Sequence, residues 1–287
     1  METISELRGI CQSTRPSIFS DFLSRWYYKV SIYFTWVCLK LGMSANQVTV
    51  LSGVVAIIGG GLLISDSKVL TVFGILCFHL FCILDMSDGE VARYRKQGGV
   101  AGHYLDWFMH FISSTALMMG LFLFSIESID SLILIAIGLL AVITPILEKS
   151  IQNAGWTVIC WTRLRSIKNN SENICANEQE IKNKNPETAQ SSLLYRRIRF
   201  LLLAPLQDHW LPTIILIIAS IDLVLHYIGY VFIDYKVLLL FYIGIVGPIH
   251  IYLNVRKMVL SGALVDGYKK LVCPSREIKL PEDDFLG

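Results

Sequence analysis

Apolar residues concentrate in six runs, each close to the length of a membrane-spanning helix. About 20 predominantly apolar residues are needed to cross the hydrocarbon core of a bilayer. The runs cover about 47–65, 69–92, 103–125, 131–153, 210–228 and 236–255. This pattern predicts an all-α integral membrane protein with six transmembrane helices.

The stretch 21–42, before the first run, is rich in aromatic residues but carries charges that a spanning helix would bury at high cost. These charges are Arg25, Lys29 and Lys40. Aromatic rings and cations are favoured at the level of the lipid headgroups. We therefore expect an amphipathic helix that lies at the membrane interface.

The connection between the fourth and fifth runs changes in composition. We expect the fourth helix to continue to about Trp161, followed by a polar loop at 163–192 and a second interfacial helix at 193–205. The predicted organisation has three parts: an N-terminal segment (1–46), a six-helix transmembrane domain that includes the polar loop (47–255), and a C-terminal tail (256–287).

Lysine and arginine residues predict the orientation in the membrane. With six spans, both termini and the polar loop share one side. Of the 25 Lys and Arg residues, only Lys68 and Lys236 fall on the other side, and cytoplasmic loops carry the excess of positive charge. Both termini and the polar loop are therefore expected in the cytoplasm, and we expect the membrane to be a bacterial inner membrane.

Composition agrees with a membrane protein surrounded by lipid. The 287-residue chain is 54% hydrophobic and 17% charged, whereas about a quarter of the residues of a soluble domain are charged. A net charge of +2 gives no support for a nucleic-acid partner, and none is expected.

The seven cysteines include no Cys-x-x-Cys pair, so we expect neither a zinc site nor a disulfide framework. Residues 1–20 lack the apolar stretch of a signal peptide.

Four ionisable residues lie inside or at the edge of two apolar runs, where such residues are rare and functional by default. Asp85 and Asp88 are three residues apart and share one face of the second helix. Asp106 and His110 are four apart and share one face of the third. Because consecutive helices are expected to be antiparallel neighbours, the two pairs can meet.

This group points to a divalent metal ion and a phosphate-containing ligand. Three carboxylates held together need a compensating cation, and oxygen ligands favour Mg²⁺, Mn²⁺ or Ca²⁺ over zinc. Arg93 offers a planar fork of donors that suits a diphosphate. Small residues around the group leave room for a ligand: Gly89, Ala92, Gly98, Gly99, Ala101 and Gly102.

Two other interpretations of the acidic residues stay open. The acids can form ion pairs with Arg93, Arg95 and Lys96 in a purely structural helix turn, or they can line a cation pathway in a transporter. The first does not explain glycines at fixed offsets, and the second does not explain Gly89, Ala92 and Arg93. Outside the group, a transporter has support only from Asp222 in the fifth run.

One motif joins the acids, the small residues and the arginine. It reads Asp85-x-x-Asp88-Gly89-x-x-Ala92-Arg93-x₈-Gly102-x-x-x-Asp106-x-x-x-His110. The motif closely resembles the signature of the CDP-alcohol phosphotransferase (phosphatidyltransferase) family, D-x-x-D-G-x-x-A-R followed by G-x-x-x-D-x-x-x-D. Residues 42–49 also resemble the segment that opens the first span of that family, with Ala45 in place of a proline.

The resemblance implies a metal-dependent reaction on a CDP-linked alcohol. Asp85, Asp88, Asp106 and His110 would hold two divalent ions, Mg²⁺ or Mn²⁺. An acceptor hydroxyl on a lipid, a polyol phosphate or a sugar would attack the phosphorus that carries the alcohol, and CMP would leave. Such a reaction belongs to phospholipid or cell-surface glycolipid and polysaccharide biosynthesis, and a homodimer is the implied state. Nucleotide binding would fall to Asn46, Thr49, Asp85, Gly89, Ala92, Arg93 and Gly102.

His110 departs from the signature, which has an aspartate there as general base and metal ligand. A neutral histidine can accept a proton near neutral pH and can bind a metal ion through one ring nitrogen. The lost negative charge should weaken the second metal site. His110 is therefore the base of a subfamily, with Asp106 as its catalytic partner, or marks a weakly active member or an inactive relative that binds nucleotide or lipid.

Recognition of the acceptor is expected from polar groups near the ends of the fourth and sixth spans, Lys149, Asn254 and Arg256. For each of them the alternative is a side chain that snorkels to the headgroups. Glu148 and His250 are expected to be satisfied contacts between helices. Asp222 is expected to pair with His226, one turn further on.

Overall fold

The computed structural model describes residues 2–13, 22–126, 131–168, 210–230 and 234–260, without the side chains at 156, 159, 162–168 and 257–260. In these ranges the chain forms eight helices and no strand. The helices are α1 (Ile4–Cys11), α2 (Phe22–Lys40), α3 (Ala45–Leu63), α4 (Lys68–Arg95), α5 (Val100–Ile126), α6 (Leu132–Lys168), α7 (Trp210–Tyr227) and α8 (Tyr235–Leu260). The expected all-α fold is confirmed.

Six of these helices, α3 to α8, are long and apolar enough to cross a membrane. The spanning segments are Ala45–Leu63, Lys68–Arg95, Val100–Ile126, Leu132–Gly155, Trp210–Tyr227 and Tyr235–Arg256. Each coincides closely with a predicted run, and the chain is a multi-pass membrane protein. The helix expected over 21–42 is present as α2, while its place at the membrane interface stays a prediction.

Two helix boundaries differ from the prediction. The fourth spanning helix continues to Lys168 rather than ending near Trp161, so the expected loop is wrong over residues 163–168. Those residues include three cations, but they contain no Gly or Pro and include good helix formers such as Arg, Leu and Lys. The rest of the loop, the helix expected at 193–205 and the tail from 261 lie outside the described residues.

The hydrophobic pattern does not predict helix α1, because the helix has only eight residues. Its start is marked by a capping box, in which the Glu6 backbone N–H donates to the Thr3 hydroxyl and the Thr3 N–H donates to the Glu6 carboxylate. The two distances are 3.3 and 2.7 Å. The sequence signal that predicts this start is Thr-x-x-Glu.

The helices belong to two compact units within the described ranges. The first covers Met1–Ile146 and Ile198–Pro248, and the second covers Leu147–Arg197 and Ile249–Gly287. Helices α6 and α8 pass from one unit to the other beside a proline, Pro145 and Pro248 respectively. A proline removes a backbone hydrogen bond from a helix interior, which weakens the continuity of the helix at these points.

In the first unit, α3 packs closely against both α4 and α5 through glycines. A Cβ atom on Gly59 would lie 2.8 Å from the carbonyl oxygen of Gly74 in α4. A Cβ atom on Gly60 would lie 2.5 Å from the carbonyl oxygen of Ala116 in α5. Only glycine allows helix backbones to approach this closely. Helices α1, α2 and α7 also contact α4, which makes α4 the central helix of this unit.

The two lysines expected on the non-cytoplasmic side both have partners. The Lys68 ammonium lies 2.6 Å from the Asp222 carboxylate, and Lys236 donates at 3.0 and 3.3 Å to carbonyl oxygens at and just beyond the end of α3. The expected pair of Asp222 with His226 is therefore wrong. A lysine offers a charge-assisted hydrogen bond to the buried carboxylate, which is stronger than the bond a neutral imidazole can give.

The close packing of α3 predicts different effects of alanine at two adjacent glycines. Gly60→Ala should lower the thermal unfolding temperature of the detergent-solubilised protein, because the α5 backbone must move and overpacking destabilises by about 1–3 kcal/mol. Gly61→Ala is the matched control, since a Cβ atom there meets nothing within 4 Å, and it should leave the temperature unchanged or raise it. Equal unfolding temperatures for the two variants would contradict the close approach of α3 and α5.

Candidate active site

Helices α4 and α5 bring two carboxylates and one imidazole together. His110 Nε2 lies 3.1 Å from Asp85 Oδ1 and 3.5 Å from Asp106 Oδ1. Each residue offers a metal-binding atom, and these atoms lie within 4.8 Å of one another. Of the first predicted pair, Asp85 therefore meets the second pair, Asp106 and His110. Since α4 and α5 make few direct contacts and both pack on α3, it is α3 that sets the distance between them.

The converging atoms fit a divalent metal ion. Two partly buried carboxylates this close together repel unless a cation or a proton lies between them. Carboxylate oxygens are ligands of Mg²⁺ and Mn²⁺, and an imidazole nitrogen also suits transition metals such as Mn²⁺. Asp85, Asp106 and His110 would hold such an ion and leave coordination positions for water or for phosphate oxygens.

His110 is held in place on two sides. Its ring meets Phe81 of α4 edge to face, with 5.6 Å between the ring centroids, while Nε2 faces the two carboxylates. A ring nitrogen that donates a hydrogen bond cannot at the same time bind a metal ion or accept a proton. The imidazole can therefore serve the site as donor, ligand or base, with one role per nitrogen at any time.

Asp88 lies outside this converging group as far as the described residues show. It is 8% exposed, and the hydroxyl of the equally buried Thr49 donates to its carboxylate at 2.6 Å. This bond joins the first turns of α3 to α4. One oxygen of Asp88 is thus engaged by the protein, and the role of Asp88 as a metal ligand stays a prediction.

Two further nucleotide-binding candidates lie next to each other at the start of α3 and of α5. A Cβ atom on Gly102 would lie 3.3 Å from the side-chain oxygen of Asn46. The absence of a side chain at Gly102 therefore leaves this amide accessible beside the first turn of α5. The opening segment of the first span and the motif glycine, which are 56 residues apart in the chain, form one local surface.

The arginine of the motif lies along the same face of α4 as Asp85. Asp85, Gly89 and Arg93 follow at intervals of four residues, which places them on one face of a helix. The side chain of Arg93 bends back over Gly89, where an added Cβ atom would lie 3.3 Å from Nη1 and 3.9 Å from Nη2. Ala92, one turn beyond Asp88, is partly buried. A phosphate group beside Asp85 would therefore meet a small residue and then a guanidinium.

The three acceptor candidates belong to the second unit. Lys149 is 7% exposed, whereas a snorkelling lysine would keep its ammonium in water. Asn254 Nδ2 lies 2.9 Å from His250 Nε2, and this nitrogen lies 3.0 Å from the Glu148 carboxylate. The expected contact of Glu148 and His250 between helices is confirmed. Arg256 is exposed, and a role of any of the three in acceptor binding stays a prediction.

The sequence reasoning missed Glu90, the most deeply buried carboxylate in the described part of the chain, which directly follows Gly89 of the motif. Its side chain is 0% exposed. One oxygen accepts hydrogen bonds from Gln12 Nε2 and Ser31 Oγ, both at 2.7 Å, and the other accepts from Thr35 Oγ1 at 2.6 Å. The signal that could have found it is the pair Ser31 and Thr35, four residues apart and thus on one face of α2.

Comparison with known proteins adds no relative to this picture. No model of a known protein family matches the chain, and no curated protein sequence matches it. The function is therefore inferred from the site itself: the trio of Asp85, Asp106 and His110 that could hold a metal ion, with a guanidinium and small residues on the adjoining turns.

The trio predicts that His110 contributes to metal affinity. His110→Ala should weaken Mn²⁺ binding by about tenfold or more, because it removes one of three converging ligand atoms. Electron paramagnetic resonance of free Mn²⁺ during a titration measures the dissociation constant without any assumption about activity. His226→Ala, which removes an exposed histidine of α7, is the matched control. If both variants bind Mn²⁺ like the wild type, His110 is no ligand.

Proposed function

We propose that the protein is a membrane CDP-alcohol phosphotransferase that requires a divalent metal ion. It would transfer a phosphate-linked alcohol from a CDP-alcohol to an acceptor hydroxyl and release CMP. The observation that carries the proposal is the convergence of Asp85, Asp106 and His110, with Gly89 and Arg93 on the following turns of α4. This arrangement suits a diphosphate that is shared between a metal ion and a guanidinium.

Each part of the site has a task in this reaction. A bound Mg²⁺ or Mn²⁺ ion would neutralise the charge on the transferring and leaving oxygens. Arg93 would donate hydrogen bonds to the diphosphate, and Gly89 and Gly102 would let the nucleotide approach the helix backbones. The acceptor oxygen forms a bond to the phosphorus that carries the alcohol, and the bond from that phosphorus to the bridging oxygen of CMP breaks.

His110 would take the proton of the acceptor hydroxyl. One nitrogen of the imidazole lies near both carboxylates of the trio, which would stabilise the positive charge that the ring gains on accepting a proton. This role uses one ring nitrogen and leaves the other for a carboxylate or a metal ion. Asp106, 3.5 Å from Nε2, would orient the ring.

The membrane setting extends the proposal. Both termini and the active site would face the cytoplasm, because almost all Lys and Arg residues lie on the same side as the termini, and cytoplasmic loops carry the excess of positive charge. The two exceptions are Lys68, which pairs with a carboxylate, and Lys236, which donates to carbonyl oxygens. The acceptor would be a lipid, a polyol phosphate or a sugar, consistent with phospholipid or cell-surface polymer biosynthesis. The homodimer implied by the resemblance belongs to the same proposal.

A second candidate function is nucleotide or lipid binding without turnover. The observation that favours it is His110, since the motif otherwise ends in an aspartate. The trio has two carboxylates rather than three, so its attraction for metal ions is weaker. Activity measurements on variants of His110 distinguish the two functions.

The proposal predicts metal-dependent release of CMP by the purified protein. EDTA should abolish release, and Mn²⁺ or Mg²⁺ should restore it. Asp85→Asn should lower the rate by about 10²-fold or more, because the amide removes a charged metal ligand next to the reacting diphosphate. Asp66→Asn, which changes an exposed aspartate in the connection between α3 and α4, should keep the wild-type rate. Full activity in EDTA or in Asp85→Asn would exclude the mechanism.

Substitutions of His110 test its role as the base. His110→Ala should lower kcat by about 10²–10⁴-fold, the usual contribution of general acid–base catalysis. His110→Asp restores a carboxylate that can accept a proton and should retain more activity than the alanine variant. An alanine variant as active as the wild type would refute the base assignment. If only the aspartate variant releases CMP, the native protein is the non-catalytic binder.

A further inference from the structure

The end of α1 is fastened to α4 immediately beyond the candidate site. Gln12 Nε2 donates to the Glu90 carboxylate and to the carbonyl oxygen of Tyr28, both at 2.7 Å. Arg93 Nε donates to the carbonyl oxygen of Cys11 at 2.7 Å. Two consecutive residues at the end of α1 thus contact two residues of α4 that are three positions apart.

The Glu90 carboxylate needs hydrogen-bond donors around it because it is fully buried. A buried carboxylate is stable only where donors or cations surround it. Ser31 and Thr35 supply two of its hydrogen bonds from α2, and Gln12 supplies the one that comes from α1. Gln12 is therefore fixed in distance and direction, and the position of the preceding residue, Cys11, is fixed with it.

The Arg93 contact follows from the electrostatics of a helix end. Cys11 is the last residue of α1, where carbonyl groups lack partners within the helix and carry partial negative charge. When the guanidinium donates through Nε to such a carbonyl, this hydrogen bond restricts the orientation of the planar group. The two terminal nitrogens of Arg93 then lie over Gly89, on the face of α4 that carries Asp85.

We propose that the end of α1 is a positioning element for the donor site, in which the Gln12–Glu90 bond holds the Cys11 carbonyl where it orients Arg93. This inference rests on the proposed function, in which Arg93 binds the diphosphate of the donor. Gln12 and Glu90 are positioning residues, because they act on the ligand only through Arg93. Freeing the end of α1 should weaken donor binding and leave the metal trio intact.

The chain carries its own reporter for the position of α1. Cys11 is 0% exposed, and burial, with a smaller contribution from the nearby Glu90 carboxylate, raises the pKa of its thiol to about 11. Because the thiolate is the reactive form, maleimide should label Cys11 slowly in the native protein. Cys160 is exposed and serves as the internal standard when the labelled peptides are quantified by mass spectrometry.

A pair of substitutions tests the proposal. Gln12→Glu places a second carboxylate against Glu90 and should release the end of α1. In the double variant, which also carries Glu90→Gln, the amide at position 90 can donate to the carboxylate at position 12, so the donor and the acceptor have exchanged positions. Gln152→Glu, a change of an exposed residue in the second unit, controls for the added charge. Each protein is assayed for Cys11 labelling, for KM and kcat with a CDP-alcohol, and for equilibrium binding of CDP in the presence of Mn²⁺.

In the Gln12→Glu variant we expect maleimide to label Cys11 about tenfold faster. The KM for the CDP-alcohol and the dissociation constant for CDP should each rise about tenfold, and kcat should change less than about twofold. The double variant should recover most of each loss. Unchanged labelling would show that Gln12 does not hold α1. Faster labelling with unchanged KM and CDP affinity would show that α1 does not position Arg93. Either result overturns the inference.

Failure of the proposed function gives a different pattern. A wild-type protein that binds CDP but releases no CMP would contradict the proposed activity, and the CDP affinities of the variants would still decide the role of α1. A wild-type protein that binds no CDP would overturn both the proposed function and the role of α1 at the donor site.

Discussion

A carboxylate inside an apolar helix bundle is destabilising by several kcal/mol unless a donor or a cation meets it. Among the described residues, three carboxylates are buried, Asp88, Glu90 and Asp222. Each has at least one oxygen bonded to a partner on another element, and in each case one of the elements is α4. Asp88 joins α4 to α3, Glu90 joins it to α2 and to the residue after α1, and Asp222 of α7 reaches Lys68 at the start of α4. The position of α4 is therefore fixed by polar bonds at both ends.

This arrangement separates two tasks on one helix. Asp85, Gly89 and Arg93 share the face of α4 on which the candidate ligand site lies, whereas Glu90 points in another direction. Bonds that hold α4 in place are thus made without using the face that a ligand needs. Arg93 connects the two tasks, because its guanidinium lies over Gly89 while its Nε donates to the end of α1.

The features that the sequence predicted are those that depend on local spacing. Six apolar runs predict six spanning helices because the hydrocarbon core imposes one length on all of them. The spacing of residues in the motif predicts that Asp85 and Asp106 can meet, because the number of residues between two positions of a helix determines whether their side chains share a face. The partners of Asp222 and Glu90 could not be read in this way, since Lys68 is 154 residues from Asp222 and Gln12 is 78 residues from Glu90. The extension of α6 to Lys168 differs for another reason: the polar composition of 163–192 predicts a loop, although residues 163–168 themselves favour a helix.

The charge of the trio bears on how many metal ions the protein itself can hold. Asp85 and Asp106 carry two negative charges and His110 adds none when neutral, so a single divalent ion neutralises the group. A second ion would depend on Asp88, and one oxygen of that carboxylate already accepts a hydrogen bond from the Thr49 hydroxyl at 2.6 Å. Its remaining ligands would have to come from the diphosphate of a bound donor, which supplies the negative charge that the imidazole does not. If the protein binds metal and nucleotide as proposed, His110 would tie full metal occupancy to the presence of the nucleotide, whereas a fourth aspartate would favour two ions in its absence.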